Sequence, residues 1–233
     1  MHTLKILDLF CGAGGAAMGL HQGLDDLNIP HTITGVDIEP QPRYPFTFVQ
    51  GDALQPPFDL QGFDFIWASP PCQDYSTLRG LTSKQYPRLI EPIRDILKSS
   101  NKLYVIENVK GARYHLQNPL MLCGTMFNLR VQRHRYFECN PQILFAPFSC
   151  NHWGKTANTN GEMRLKAKQS GRALRKCQQS FEIAPFLTVA GNDYKLEDGK
   201  IAMGIDWMRR AELSESIPPA YSRYIIKQIF GVK

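Results

Sequence analysis

The sequence predicts an α/β domain built on a mostly parallel sheet covered on both faces. Three observations carry that expectation. Strand and helix signals alternate through the first two thirds of the chain, and a glycine-rich turn joins the first strand to the first helix. The alternation breaks only at one irregular basic stretch that precedes the last elements.

Taken in order, Lys5 to Phe10 is a β-run, Gly14 to Leu24 the helix after it, and Thr32 to Val36 the second strand. "FTFVQGD" and "FDFIWASP" supply two more strands. Between Leu89 and Ser99, residues Leu89, Ile90, Ile93, Ile96 and Leu97 share one helical face, the mark of an amphipathic crossover helix. "KLYVIENV" is then a buried strand, and the regular pattern stops after "RYFECN". It resumes at "FLTVA" and "AMGIDWMRRAEL" and ends in a helix from Pro219 to Phe230, whose proline fits a first turn.

A chain of 233 residues suits one domain with a substantial core and needs no covalent staples. The six cysteines are scattered, and no basic and apolar leader precedes "LKILDLF", so a cytoplasmic protein with reduced thiols is expected. No apolar run approaches membrane-spanning length. From Asn151 to Ser180 there are seven basic residues (Lys155, Arg164, Lys166, Lys168, Arg172, Arg175, Lys176) against Glu162 alone, so this stretch carries the whole net charge of +6. Such a concentration suits a polyanionic partner, although a solvated loop would look the same.

The strand that runs into "DLFCGAGGAAMG" satisfies a relaxed dinucleotide fingerprint through Gly12, Gly14 and Ala17, with Asp37 at the end of the next strand. NAD, FAD and S-adenosylmethionine all fit that match. Phe10 as an apolar contact and Asp52 after the third strand, placed to accept from an adenine amino group, favour S-adenosylmethionine. "ASPPCQDYS" then closes a strand with Cys72 on the same sheet edge. Enzymes that methylate exocyclic amines place an aromatic ring after Ser-Pro-Pro; here a thiol takes its place. A thiol becomes a nucleophile only with a base or positive neighbour. Glu107 in "VIENVKG", and Arg133 and Arg135, which share one side of an extended segment in "QRHRYFE", are the candidates to complete such a site.

"DLFCGAGG", "SPPCQDYS", "ENV" and "RHRYFE", in that order, resemble the successive motifs of the DNA (cytosine-5) methyltransferases, of a compact phage or prokaryotic type. The resemblance implies a Rossmann-like S-adenosylmethionine-dependent methyltransferase fold. It implies that Phe10, Gly12 and Gly14 line the cofactor site with Asp37 on the ribose and Asp52 on the adenine, that Ile38, Ala53 and Pro71 belong to the same lining, and that Pro71 holds the catalytic loop. Cys72 would attack C6 of the cytosine, Glu107 would bond to N3 and the exocyclic amine, and Arg135 would contact the base O2 with Arg133 in support. This chain departs from the family at Val131, where a glutamine usually stands, and at Ser214 and Glu215, where the family shows Gly-Asn.

The resulting division is a catalytic domain over 1–138 and 186–233, with a short basic target-recognition segment over 139–185. Duplex DNA is the expected partner of a monomeric enzyme, with any restriction endonuclease partner unspecified. The rivals are an RNA (tRNA) cytosine-5 methyltransferase on the same scaffold and a catalytically silent DNA-binding regulatory protein. Cys139, Cys150, His152 and Cys177 lack a Cys-x-x-Cys pair and read as ordinary residues, so no metal is expected.

Overall fold

Strand–helix alternation in the sequence becomes alternation in space. The computed structural model describes residues 2–75, 87–152, 156–157, 186–191 and 194–231. Strands β1 (Leu4–Leu9), β2 (His31–Asp37), β3 (Thr47–Gln50), β4 (Phe65–Ala68) and β5 (Leu103–Asn108) pair in parallel, and β6 (Leu120–Leu122) and β7 (Arg135–Asn140) complete a seven-stranded sheet of order β3-β2-β1-β4-β5-β7-β6. Strand β7 runs antiparallel to both neighbours. The helices are α1 (Gly15–Asp26), α2 (Ile90–Ser99), α3 (Leu196–Met203), α4 (Arg210–Glu215) and α5 (Pro219–Phe230), and β8 (Thr156–Ala157) pairs with β9 (Phe186–Leu187) in a separate ladder.

Both faces of the sheet are buried because successive side chains in a strand point to opposite sides. Ile6, Phe65, Trp67 and Val105 pack with α1 and α5, while Leu7, Leu9, Ile66, Ala68 and Ile106 pack with Ile90, Ile93 and Leu97 of α2. Helix α5 lies close on α1 because Gly19 and Gly23 leave room for it. A Cβ on Gly19 would fall 1.9 Å from the Pro219 carbonyl oxygen. Arg223 and Lys227 of α5 also reach Asp26 at the end of α1, both at 2.8 Å.

Strands β2 and β3 lie to one side of β1, and β4 and β5 to the other. At such a reversal of strand order the carboxyl ends of neighbouring strands part and open a crevice for ligands. The motifs singled out in the sequence sit on that edge.

Several boundaries differ from the sequence expectations for local reasons. Strand β1 ends at Leu9 because Phe10 adopts a left-handed φ of 56°. "AMGIDWMRRAEL" is not one element: α3 stops at Gly204, with φ 68°, and α4 starts at Arg210. Strand β6, three residues long, was too short to show a period. The expected recognition segment falls largely outside the described residues, its cluster of lysines and arginines entirely so. Among the described residues no helix is long and apolar enough to cross a membrane.

Candidate active site

The glycine-rich turn after β1 is held in a shape that other residues would resist. Gly12 and Gly14 have φ of 47° and 84°, and a Cβ on Gly14 would approach Pro45 Cδ to 2.6 Å. Phe10 holds its positive φ without that freedom, a cost that persists only where the surroundings enforce it. Asp37, at the end of β2, fastens the turn: its Oδ2 accepts the Gly12 N–H at 2.9 Å and its Oδ1 accepts the Glu39 N–H at 3.0 Å. A carboxylate has about four acceptor positions, so Asp37 retains capacity for a ligand's hydroxyls. Beside it Ile38 is 65% exposed, an apolar side chain left without a cover at the crevice. Asp52 accepts the Leu54 N–H at 2.9 Å and Ala53 is buried.

The Cys72 loop leaves the end of β4 and is anchored on both sides. Asn108 Nδ2 donates to the Pro70 carbonyl at 2.8 Å, the Tyr75 N–H donates to the Cys72 carbonyl at 3.1 Å, and the buried Asp74 pairs with Arg88 at 2.5 Å. Asn108 and Asp74 were not singled out for this anchoring in the sequence, although both flank the motifs. Pro71 and Cys72 are partly exposed.

Glu107 ends β5 almost fully buried, and Arg135 Nε at the start of β7 lies 3.0 Å from its Oε1. Burial raises the Glu107 pKa, opposed by the Arg135 charge and by a hydrogen bond from Ser69. Ser69 is in turn fixed by the Trp67 indole N–H at 2.9 Å, a support the sequence reading missed. Burial also raises the Cys72 pKa, and Glu107 adds to the rise; the charges of Arg135 and Arg133 oppose it. The positive neighbours expected from the sequence are therefore present, but in the free protein burial outweighs them.

Arg133 does something more than support Arg135. Its guanidinium donates to the carbonyls of Val189, at 2.6 Å, and Ser214, at 2.5 Å, while the Arg133 carbonyl accepts from Tyr221 Oη at 2.5 Å. It thus ties the start of β7 to the C-terminal helices. Burial first, then the like charge of Arg135, lowers its pKa to about 9, which leaves it charged at neutral pH.

The four residues weighed for a metal in the sequence do not form one group. Cys139 belongs to β7 and Cys177 lies outside the described residues. Cys150 and His152 do meet, but with Cys123 and His134.

A mostly parallel sheet with a glycine turn after β1, an acid at the end of β2 and another after β3, and a thiol after β4 has the layout of a nucleotide-cofactor-binding α/β domain with that thiol on the same edge. Residues 4–122, just over half of the chain, match the family described as "C-5 cytosine-specific DNA methylase", and the chain belongs to that family. It is 34% identical over 122 residues to the type II methyltransferase M.HgiCI of Herpetosiphon aurantiacus, covering 48% of this chain and 29% of that protein. It is 30% identical over 166 residues to the tRNA (cytosine(38)-C(5))-methyltransferase of Rattus norvegicus, covering 64% of this chain and 41% of that one. The chain thus spans well under half the length of these relatives. In fold it is similar to the Entamoeba histolytica methyltransferase EhMeth, with a TM-score of 0.58, 13% identity and 99% of each chain covered.

Proposed function

We propose that the chain is a DNA cytosine-5 methyltransferase that uses S-adenosylmethionine and forms a covalent bond between Cys72 and the target base. The observation that carries this reading is the meeting of Cys72 after β4, Glu107 near the end of β5 and Arg135 at the start of β7, where Arg135 pairs with Glu107 at 3.0 Å and both charges act on the Cys72 thiol. The crevice beside them would take the cofactor. Exposed Ile38 would cover the adenine, Asp37 would accept from the ribose hydroxyls, Asp52 would accept from the adenine amine, and Phe10, Gly12, Gly14, Ala53 and Pro71 would line the remainder. Bound there, S-adenosylmethionine supplies an electrophilic methyl group.

A cytosine inside a duplex is out of reach, so the base leaves the stack and enters the pocket. Cys72 would give up its proton to solvent and its sulfur would bond to C6, with Arg135 favouring the thiolate and contacting the base O2. Glu107, whose pKa burial raises, would bond to N3 and the exocyclic amine and so absorb the charge that develops on the ring. C5 would then be an enamine carbon able to accept the methyl group that S-adenosylmethionine, held by Asp37, Ile38 and Asp52, would supply, its sulfur leaving as the neutral thioether. Loss of the C5 proton to a base then expels the Cys72 sulfur and restores the ring. Arg133 would hold the Arg135 segment against the C-terminal helices, and the basic segment over 139–185 would contact phosphates.

One observation favours a second reading: the tRNA methyltransferase of Rattus norvegicus aligns over more of this chain than the type II enzyme does. Incubating the purified chain with methyl-labelled S-adenosylmethionine and either duplex DNA or tRNA separates the two. Label in 5-methylcytosine of the duplex is expected. Label in tRNA alone would move the assignment to RNA, and label in neither, with cofactor bound, would favour a silent DNA-binding protein.

A further inference from the structure

We propose that Cys123, His134, Cys150 and His152 form a structural zinc site that staples the start of the basic segment to the start of β7, beside Arg133 and Arg135. The ligating atoms of all four lie within 4.8 Å of one another. His152 Nε2 is 3.3 Å from Cys123 Sγ and 2.9 Å from Cys150 Sγ, and His134 Nε2 is 3.3 Å from Cys150 Sγ. Four such atoms held tetrahedrally at Zn–S of about 2.3 Å and Zn–N of about 2.0–2.1 Å would be roughly 3.3–3.8 Å apart. The apoprotein geometry is already close to that figure.

Two thiols and two imidazoles are a soft set that suits zinc rather than magnesium or calcium. Four protein ligands also close the coordination sphere, which marks a structural rather than a catalytic site. Thr125 adds an outer layer: its Oγ1 donates to Cys123 Sγ at 3.3 Å, lies 3.8 Å from Cys150 Sγ, and accepts the Asn151 N–H at 3.1 Å. Such contacts orient thiolate ligands. A disulfide between Cys123 and Cys150 would leave both histidines without a reason to converge.

The placement gives the site its purpose. Cys123 follows β6, His134 stands between Arg133 and Arg135 just before β7, and Cys150 and His152 lie in the chain that leaves β7. Zinc bound here would fix where the basic segment departs and hold the backbone of the two arginines, so loss of the metal would loosen both.

Elemental analysis of the purified full chain should find about one zinc per chain after desalting, as for a closed site. Cobalt in its place should give a thiolate charge-transfer band and strong tetrahedral visible bands. Cys150→Ser should abolish those bands. The exposed His152→Ala tests the site without disturbing the core, and it should release zinc to a chelator much faster. Thr125→Val should weaken zinc binding on the order of tenfold. Natively folded protein that carries no zinc and shows no cobalt spectrum on titration would overturn the proposal, as would a Cys123–Cys150 disulfide in a non-reducing peptide map. Neither readout depends on methyltransfer, so the site stands or falls apart from the catalytic reading.

Discussion

Arg135 Nε lies 3.0 Å from Glu107 Oε1 across the antiparallel β5–β7 pairing, and both side chains are largely removed from solvent, at 13% and 9% exposure. A buried charge that loses its partner costs far more than the pair contributes, so Arg135→Ala should destabilise the fold by about 3–5 kcal/mol at alkaline pH. The deficit should shrink in acid, because the unpaired Glu107 can then take up a proton. The double variant with Glu107→Gln should be less destabilised than Arg135→Ala alone. Urea denaturation at acid and alkaline pH checks both statements; an equal deficit at every pH would mean that the pair is not electrostatically coupled.

Asp37 and Ile38 make separable predictions about the cofactor. Asp37→Ala removes the Gly12 anchor and the proposed acceptor of ligand hydroxyls, and should weaken S-adenosylmethionine binding by on the order of 1.5–3 kcal/mol. Ile38→Ala should weaken it by about 1 kcal/mol or more, from apolar area covered only by the ligand. Because Ile38 is exposed in the free protein, its truncation should leave stability unchanged. Calorimetric titration beside a denaturation curve measures each, and unchanged affinity in folded Asp37→Ala would remove Asp37 from the site.

Asp8 lies wholly buried beneath the glycine turn, with Tyr44 Oη donating to its Oδ2 at 3.2 Å. Burial raises its pKa from 3.8 to about 8, the Tyr44 hydroxyl opposing and the Asp37 charge adding to the rise. A raised folded-state pKa means that the folded chain binds the proton more tightly than the unfolded chain. The stability this contributes is full below the unfolded value and is lost as pH rises through the folded one. Wild-type protein should therefore lose on the order of several kcal/mol between mildly acid and alkaline pH from this group alone. Asp8→Asn should flatten that dependence and be the more stable protein at alkaline pH. Parallel pH profiles for the two would show that Asp8 stays ionised.

Gly19 tests the packing that seats α5 on α1. Because a Cβ there would meet the Pro219 backbone carbonyl, which cannot swing aside as a side chain could, Gly19→Ala should cost about 1–3 kcal/mol. Ala17, equally buried in the same helix, would be the control when reduced to glycine. A neutral Gly19→Ala in chemical denaturation would mean that the two helices are not in close contact.

The parts of this molecule that were legible in the sequence are those whose signal is local. Strands β1 to β5, α1, α2 and α5 appear as runs or faces of apolar residues, and Cys72, Glu107 and Arg135 sit in short motifs at strand ends. What stayed hidden depends on distant pairings. Nothing beside Arg133 indicates that it bonds to Val189 and Ser214, residues that follow a long intervening stretch. Likewise Cys123 and His134 showed no spacing with Cys150 and His152 that a metal search would recognise, since β6 and β7 bring them together only once paired. The pKa balance at Cys72 was hidden for a related reason: the sequence reveals charged neighbours but not the burial that opposes them.

That balance sets the last prediction. Burial and Glu107 raise the Cys72 pKa while Arg135 and Arg133 lower it, so the free thiol should alkylate slowly at neutral pH and faster only above the ordinary thiol range. Glu107→Gln removes a raising charge and should speed alkylation, yet it should slow methyl transfer by on the order of 10²–10³ if Glu107 has the proposed role of stabilising charge on the ring. Opposite signs in one variant distinguish a catalytic Glu107 from one that merely holds the fold. During turnover the Cys72 sulfur should bond to the base, and release requires a proton on C5. A duplex with 5-fluorocytosine at the target has none, so in the presence of S-adenosylmethionine it should form a complex that survives denaturing electrophoresis. Cys72→Ser should abolish both the complex and methylation, since a hydroxyl is a far weaker nucleophile than a thiolate. An adduct mapped by mass spectrometry to Cys11, Cys123, Cys139, Cys150 or Cys177, or near-normal methylation by the serine variant, would mean that the thiol after Ser-Pro-Pro is not the nucleophile.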